Sequence, residues 1–239
     1  MLLILMYHRI NNPELFCSFI ENISQNHPVV LPGDALQKGE LSICLTFDDG
    51  YFDFYHYVFP FLLQKNIKAV LGVPVKFIME KTIVNKDARL NVPYDEAMRG
   101  DVYKQKAPFC TWHEIKEMAE SGFVKLASHS KNHVNLAQGD YDLDDEIIGS
   151  KKAIEKIISH EVDTFIYPYG KVDNKVHSFA TQHYKYLMRI GSALNRDWHN
   201  SNNMLYRVNG DEFLHMKHFN KIHLFKYYLK YLSNIIRKK

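Results

Sequence analysis

The chain has 239 residues, 46% of them hydrophobic and 24% charged, which is enough apolar side chain for a sizeable core in one large domain or two small ones. Its formal net charge of +3, carried by basic residues interleaved with acidic ones, argues against a nucleic-acid protein. Three cysteines, Cys17, Cys44 and Cys110, form no CxxC pair; this excludes a disulfide framework and a zinc knuckle and leaves reduced, packed thiols of a cytosolic protein as the expectation.

In chain order, Met1-Leu2-Leu3-Ile4-Leu5-Met6 is apolar but has no positive region before it and no small-residue cleavage site after it. It reads as a buried strand, 2–7, with His8 just past its end, and not as a signal peptide. A helix-period segment at 14–24 leads to an apolar run at 41–47, which stops abruptly in Asp48-Asp49-Gly50. A helix over 52–65 and a strand over 69–75 follow. From Lys76 to Cys110 the alternation lapses into a polar stretch with Pro93, Gly100 and Pro108, and a connection of that length usually lines a binding site or is partly disordered. The helix predicted over 112–121 opens with Thr111 as N-cap and Glu114 three residues on, a capping box, and closes at Gly122. Strand 124–127 runs into His129-Ser130-Lys131-Asn132-His133. After a helix at 142–159, strand 164–167 runs into Tyr167-Pro168-Tyr169-Gly170. A helix at 174–183, a strand at 186–190, a weaker strand at 205–208 and a helix at 223–236 complete the chain.

This is a βα unit repeated about seven times, which predicts a parallel sheet with helices outside it in a single domain over 1–239. No run approaches the ~18 apolar residues needed to span a bilayer. If the sheet closes into a barrel, its chemistry belongs on the loops at the C-terminal ends of the strands. His8, Asp48, Asp49, His129, His133 and Tyr169 all lie at or just beyond a predicted strand end.

Neighbouring strand residues point to opposite faces, so Asp48 and Asp49 serve one centre only if the chain leaves the strand between them, a turn that Gly50 permits. Paired acids also begin helices and occupy ordinary turns. His129 and His133 stand at i and i+4, a spacing that one helical turn brings onto one face, although 13 histidines make chance pairs common. Together, two His and one Asp form a three-ligand set with an open position, the design of a catalytic metal site. The second carboxylate is left free as general base. The Pro-aromatic-Gly turn is explained by turn chemistry alone, or else it offers a main-chain N–H to an oxyanion and the Tyr169 ring as a wall.

The three motifs together resemble the polysaccharide deacetylase family, also called the NodB-homology or carbohydrate esterase family 4 fold. They are Thr46-Phe47-Asp48-Asp49-Gly50, His129-Ser130-Lys131-Asn132-His133 and Tyr167-Pro168-Tyr169-Gly170. The resemblance implies a distorted (β/α)7 barrel that removes acetyl groups from N-acetylated amino sugars with Zn2+ or another divalent metal such as Co2+, Ni2+ or Mn2+. It makes Asp48 the base, Asp49, His129 and His133 the metal ligands, and the N–H of Tyr169 an oxyanion donor, with Pro168 and Tyr169 lining the substrate.

The chain departs from the family pattern in two places. Family members often carry an Arg before the Pro of the third motif to orient the base; here Phe165-Ile166-Tyr167 stands there, and Arg207 is the candidate for that role. No clean Leu-x-His occurs near the C-terminus to supply the general acid, where His215, His218 and His223 have the wrong spacing. Leu5-Met6-Tyr7-His8 instead resembles permuted deacetylases that act on bacterial exopolysaccharide, with His8 as the acid, because first and last strands of a closed barrel are neighbours.

The expected partner is an N-acetylated amino-sugar glycan or its precursor, in the cytoplasm, with peripheral membrane contact through the basic C-terminal helix as the lesser alternative to a helix that covers the barrel. Alternatives of function are removal of a formyl or other acyl group from a lipid-linked amino sugar, and a catalytically inactive carbohydrate-binding homologue.

Overall fold

A computed structural model describes residues 1–200, 202–216, 219 and 221–236, and the side chains of 221–223 are not part of that description. His218 and the side chain of His223, two of the alternative acids, therefore lie outside the described residues, as do Lys217, the Lys221 side chain, Arg237, Lys238 and Lys239.

Seven strands, β1 (Leu2–Tyr7), β2 (Ser42–Phe47), β3 (Ala69–Val73), β4 (Val124–Ser128), β5 (Thr164–Ile166), β6 (Tyr186–Ile190) and β7 (Met204–Asn209), run parallel and close in sequence order into a barrel. The closing seam pairs Ile4 with Arg207, Leu5 with Val208 and Met6 with Asn209. A parallel strand covered on both faces must be apolar throughout, which is why the strand runs were legible. Leu2, Ile4, Cys44, Val70, Ala127, Ile166, Met188 and Leu205 pack together as the inner plug, with Val30 and Trp198 against them. The alternate residues, among them Leu3, Leu5, Leu45, Leu71, Leu126, Phe165 and Val208, join the larger core beneath the helices.

The outer layer holds α1 (Pro13–Asn26), capped by Asn12, and α2 (Phe59–Lys65), which continues a π-helical turn at Phe54–Val58. α3 (Lys86–Leu90) and α4 (Val102–Lys106) lie inside the polar 76–110 stretch. α5 (Trp112–Glu120) carries the predicted capping box in full. α6 (Ser150–Ile158) follows a π-helical segment at Asp144–Gly149, and α7 (Asn174–Ala180) follows β5. α8 (Lys221–Ile236) closes the wall beside β6 and β7, where the Asn234 amide donates to the Gly191 carbonyl at 3.1 Å.

The 76–110 stretch is pinned down. Arg89, 5% exposed, forks onto Glu114 at 2.7 and 2.9 Å, donates to the carbonyls of Ala107 and Phe109, and lies 3.5 Å over the Phe52 ring. Arg9, one residue after His8, donates to the carbonyls of Leu90 and Val92 at 2.6 Å each. The stretch is thereby tied to the mouth of the barrel. The three cysteines are free, with Cys44 and Cys110 buried and Cys17 half-buried.

Candidate active site

Asp48 and Asp49 follow the last residue of β2. Asp49 has φ +70° and Gly50 φ +63°, so the chain turns out of the strand between the two carboxylates and both reach one centre. Gly72 on β3 makes room, since a Cβ there would sit 3.6 Å from Asp48 Oδ1 and 3.1 Å from Ile166. Arg207 is not at a strand end. It lies within β7, and its guanidinium, 1% exposed, grips the 3%-exposed Asp48 side chain through Nη1–Oδ1 at 2.6 Å and Nη2–Oδ2 at 2.8 Å. Nη1 also donates to Thr46 Oγ1 at 3.2 Å. Burial pushes the Asp48 carboxyl up, and the guanidinium more than offsets it, holding Asp48 below the ordinary carboxylate range. The place expected to need an orienting arginine is filled from β7.

The two histidines meet Asp49 by a route other than the predicted one. Residues 129–133 form no helical turn. Ser130 and His133 adopt left-handed conformations, φ +62° and +52°, and the loop curls so that both imidazoles turn inward. Glu146, buried in the π-helical segment before α6, accepts from the main-chain N–H groups of Lys131 and Asn132 at 3.1 and 3.0 Å and from the Asn132 amide at 2.6 Å. Ser130 Oγ accepts from the His133 N–H at 3.0 Å. His129 Nε2 lies 3.5 Å, and His133 Nε2 3.1 Å, from Asp49 Oδ1.

The donor atoms of Asp49, His129 and His133 lie within 4.8 Å of one another, and their chemistry fits a cation. His129 Nδ1 is 2.8 Å from the Ile166 carbonyl, which only accepts, so Nδ1 donates there and Nε2 is the nitrogen that faces Asp49 and could ligate a cation. Asp49 Oδ1 is buried without a hydrogen bond. A buried carboxylate oxygen without a hydrogen bond, ringed by two imidazole nitrogens, is stabilised when a cation lies among them. The set suits a divalent metal with nitrogen and oxygen ligands.

A profile of the polysaccharide deacetylase family matches residues 36–186. The chain belongs to the polysaccharide deacetylase family. Its sequence is similar to the poly-β-1,6-N-acetyl-D-glucosamine N-deacetylase of Escherichia coli K12, 36% identical over 94 residues that make up 39% of this chain and 12% of that protein. Its fold is like that of the Streptococcus pyogenes deacetylase PplD, solved in complex with acetate, with a TM-score of 0.70 and 20% identity over 91% of this chain and 98% of that one. IcaB from Ammonifex degensii is similar too, with a TM-score of 0.66 and 18% identity over 87% of this chain and 91% of that one.

Around the deacetylase motifs the remaining predicted residues divide. His8 stands one residue past β1, with Nε2 3.8 Å from Asp48 Oδ2 and a third of its side chain exposed. Tyr169, φ +58°, is 57% exposed and lies against His133 with ring centres 4.8 Å apart. Pro168 is buried, so it shapes the turn and presents no surface to a ligand, contrary to the expectation that it lines the substrate. Of the nine non-glycine residues with positive φ among the described residues, Asp49, Ser130, His133 and Tyr169 lie in these three loops, a concentration typical of functional sites.

Two participants escaped the sequence reading. Tyr94, from the 76–110 stretch, packs edge-on to His8 at 6.0 Å. Burial and the carboxylates of Asp49 and Asp48 push its phenol up, so it stays a neutral donor at the mouth. Its only signal was its place in a long polar connection. Glu146 looked like an ordinary acid in the first turn of a helix, and its burial is a tertiary fact.

Proposed function

We propose that this chain hydrolyses the N-acetyl group of an amino sugar in a glycan of the poly-N-acetylglucosamine kind, or in its precursor, and that it uses a divalent metal. The observation that carries the reading is the juxtaposition of a clamped, ionised Asp48 with the converging Asp49, His129 and His133. That arrangement also speaks against an inactive homologue, since neither the base nor a ligand is missing. The similarity to the E. coli enzyme supports the choice of sugar. Tyr94 and Tyr169, 52% and 57% exposed, flank the mouth and offer walls to a pyranose ring.

A divalent cation, most simply Zn2+, held by Asp49, His129 and His133 would supply Lewis acidity to the acyl oxygen and acidify a nearby water. Asp48, oriented by Arg207, takes the water's proton as its oxygen attacks the acetyl carbon. The Tyr169 N–H donates to the acyl oxygen as that atom gains negative charge. Amines leave poorly unless protonated, so His8 in its cationic form gives a proton to the sugar nitrogen as the C–N bond breaks. The products are acetate and a free amino sugar.

Incubating the Zn2+-loaded protein with a panel of N-acyl glucosamine oligosaccharides and quantifying released acids tests the reading. Acetate with a matching new amine is expected. Release of formate alone would replace deacetylation by deformylation, and release of no acid from any sugar with metal bound would overturn the assignment.

A further inference from the structure

α8 is apolar on two sides. Tyr227 and Tyr231 are buried against the barrel, and the main-chain N–H of Leu194 donates to the Tyr227 carbonyl at 3.2 Å. On the opposite side Phe225, Leu229, Leu232 and Ile236 recur at three- and four-residue intervals, 59%, 49%, 39% and 82% exposed, with Tyr228 alongside at 40%. A helix that is apolar all round is ordinarily buried, and a contiguous exposed stripe, unlike scattered single residues, marks a contact surface. The helix was expected to show solvent a basic face, but its outermost face is the apolar stripe, and the exposed Lys226 and Lys230 lie along one edge of it.

Charge identifies the partner. Lys226 and Lys230 flank the stripe and are exposed. Residues 214–239 contain seven Lys and Arg and no Asp or Glu, which leaves 23 basic against 27 acidic side chains in the rest of the chain. A net positive segment on an otherwise net negative protein selects an anionic surface. A second copy is disfavoured, because a two-fold contact through this helix would set lysines against lysines. We infer that the outer face of α8 docks on an anionic lipid bilayer. Phe225, Tyr228 and Leu229 enter the headgroup–acyl boundary, while the lysine stems lie along the surface and place their ammonium groups among the lipid phosphates. Phe225 lies beside Met1 at the N-terminal end of the barrel, whereas Asn234 bonds Gly191 just past the end of β6.

The test is co-sedimentation of the full chain with phosphatidylcholine vesicles and with vesicles that also contain phosphatidylglycerol. Binding to the anionic vesicles alone, weakened by salt, is expected. Lys226→Gln with Lys230→Gln should weaken it roughly 25-fold, at about fivefold per cation, and Phe225→Ser with Leu229→Ser at least about tenfold. These side chains are exposed and far from the metal ligands, so the melting curve should not move, and a Phe225→Trp variant should shift its emission to the blue only with anionic vesicles. No sedimentation with anionic vesicles, or sedimentation unchanged in both double variants, would overturn the inference. So would a dimer in sedimentation velocity that Phe225→Ser abolishes. None of these readouts depends on catalytic turnover.

Discussion

Arg207→Met tests the proposed base through its clamp. The wild-type carboxylate is only 3% exposed, and its two short bonds go to the guanidinium. The nearest remaining cationic candidate is His8 at 3.8 Å. Removing one partner of a buried ion pair costs about 3–5 kcal/mol, or a fall in Tm of roughly 6–20 °C for a domain of this size. The pH dependence gives the sign. Asp48 titrates below the ordinary carboxylate value in the folded protein, so its stabilisation is complete above pH ~4 and is lost as pH falls through the folded pKa. In Arg207→Met burial is opposed only by the neighbouring His129 and His8, the carboxyl moves up, and the variant loses stability as pH rises through that higher value. The difference between the two proteins is therefore widest at neutral pH and closes in acid. The acid limb of kcat/KM moves up with the same carboxyl. Arg207→Lys, which keeps the charge and loses the fork, falls between. Combining Arg207→Met with Asp48→Leu recovers most of the stability, because the unpaired charge is gone, and no activity. Thermal melts across a pH series with parallel rate profiles make the comparison. A neutral-pH melting point equal to wild type, or a gap that does not close in acid, would refute the reasoning.

His133→Ala should abolish stoichiometric zinc in equilibrium dialysis, since Asp49 and His129 alone leave two ligands; unchanged zinc content would end the ligand assignment. Asp48→Asn should keep the metal and lose nearly all turnover, because an amide cannot take the water's proton, and loss of metal instead would exchange the roles of Asp48 and Asp49. His8→Ala should slow hydrolysis of a sugar amide by about 10²–10⁴-fold and that of an activated ester far less, and equal slowing of both would remove His8 as the acid. Glu146→Leu should lower zinc affinity about 10–100-fold with no ligand touched, as read by competition with a chelating dye, and unchanged affinity would show that the 129–133 loop holds its shape without it.

Much of this was legible in the sequence because parallel strands buried on both faces write themselves as unbroken apolar runs, and because Asp48-Asp49-Gly50 breaks one of those runs where a barrel puts its chemistry. The histidine pair was found for a reason the structure replaces. Its spacing suggested a helical face, but the loop conformation rests on Glu146 thirteen residues after His133, and no local pattern ties an acid at the start of one helix to the shape of the preceding loop. Arg207 was reached through a role left open elsewhere, and sequence pattern placed it only within a weak strand; strand register and its own hydrogen bonds bring the guanidinium to Thr46 and Asp48. On α8 the lysines suggested a solvated basic face, and the inner row of tyrosines hid the fact that a second apolar row was left outside.

The closing seam explains why motif order along the chain matters so little here. β1 pairs with both β2 and β7, so a side chain just beyond β1 stands beside the ends of the second and the last strands at once. His8 reaches Asp48 from the β2 loop for that reason, and Arg207 reaches the same carboxylate from β7. Four loop residues hold left-handed backbone conformations around this point, each disfavoured for an L side chain, while the plug beneath them is closely packed hydrocarbon. The strain is carried where ligands must converge, on a scaffold whose seven-strand closure fixes the strand ends. A variant of the inner plug such as Ile4→Ala should therefore act first on stability, by the loss of about 2–5 kcal/mol typical of a core cavity. It should act on the site only so far as the seam between β1 and β7 loosens.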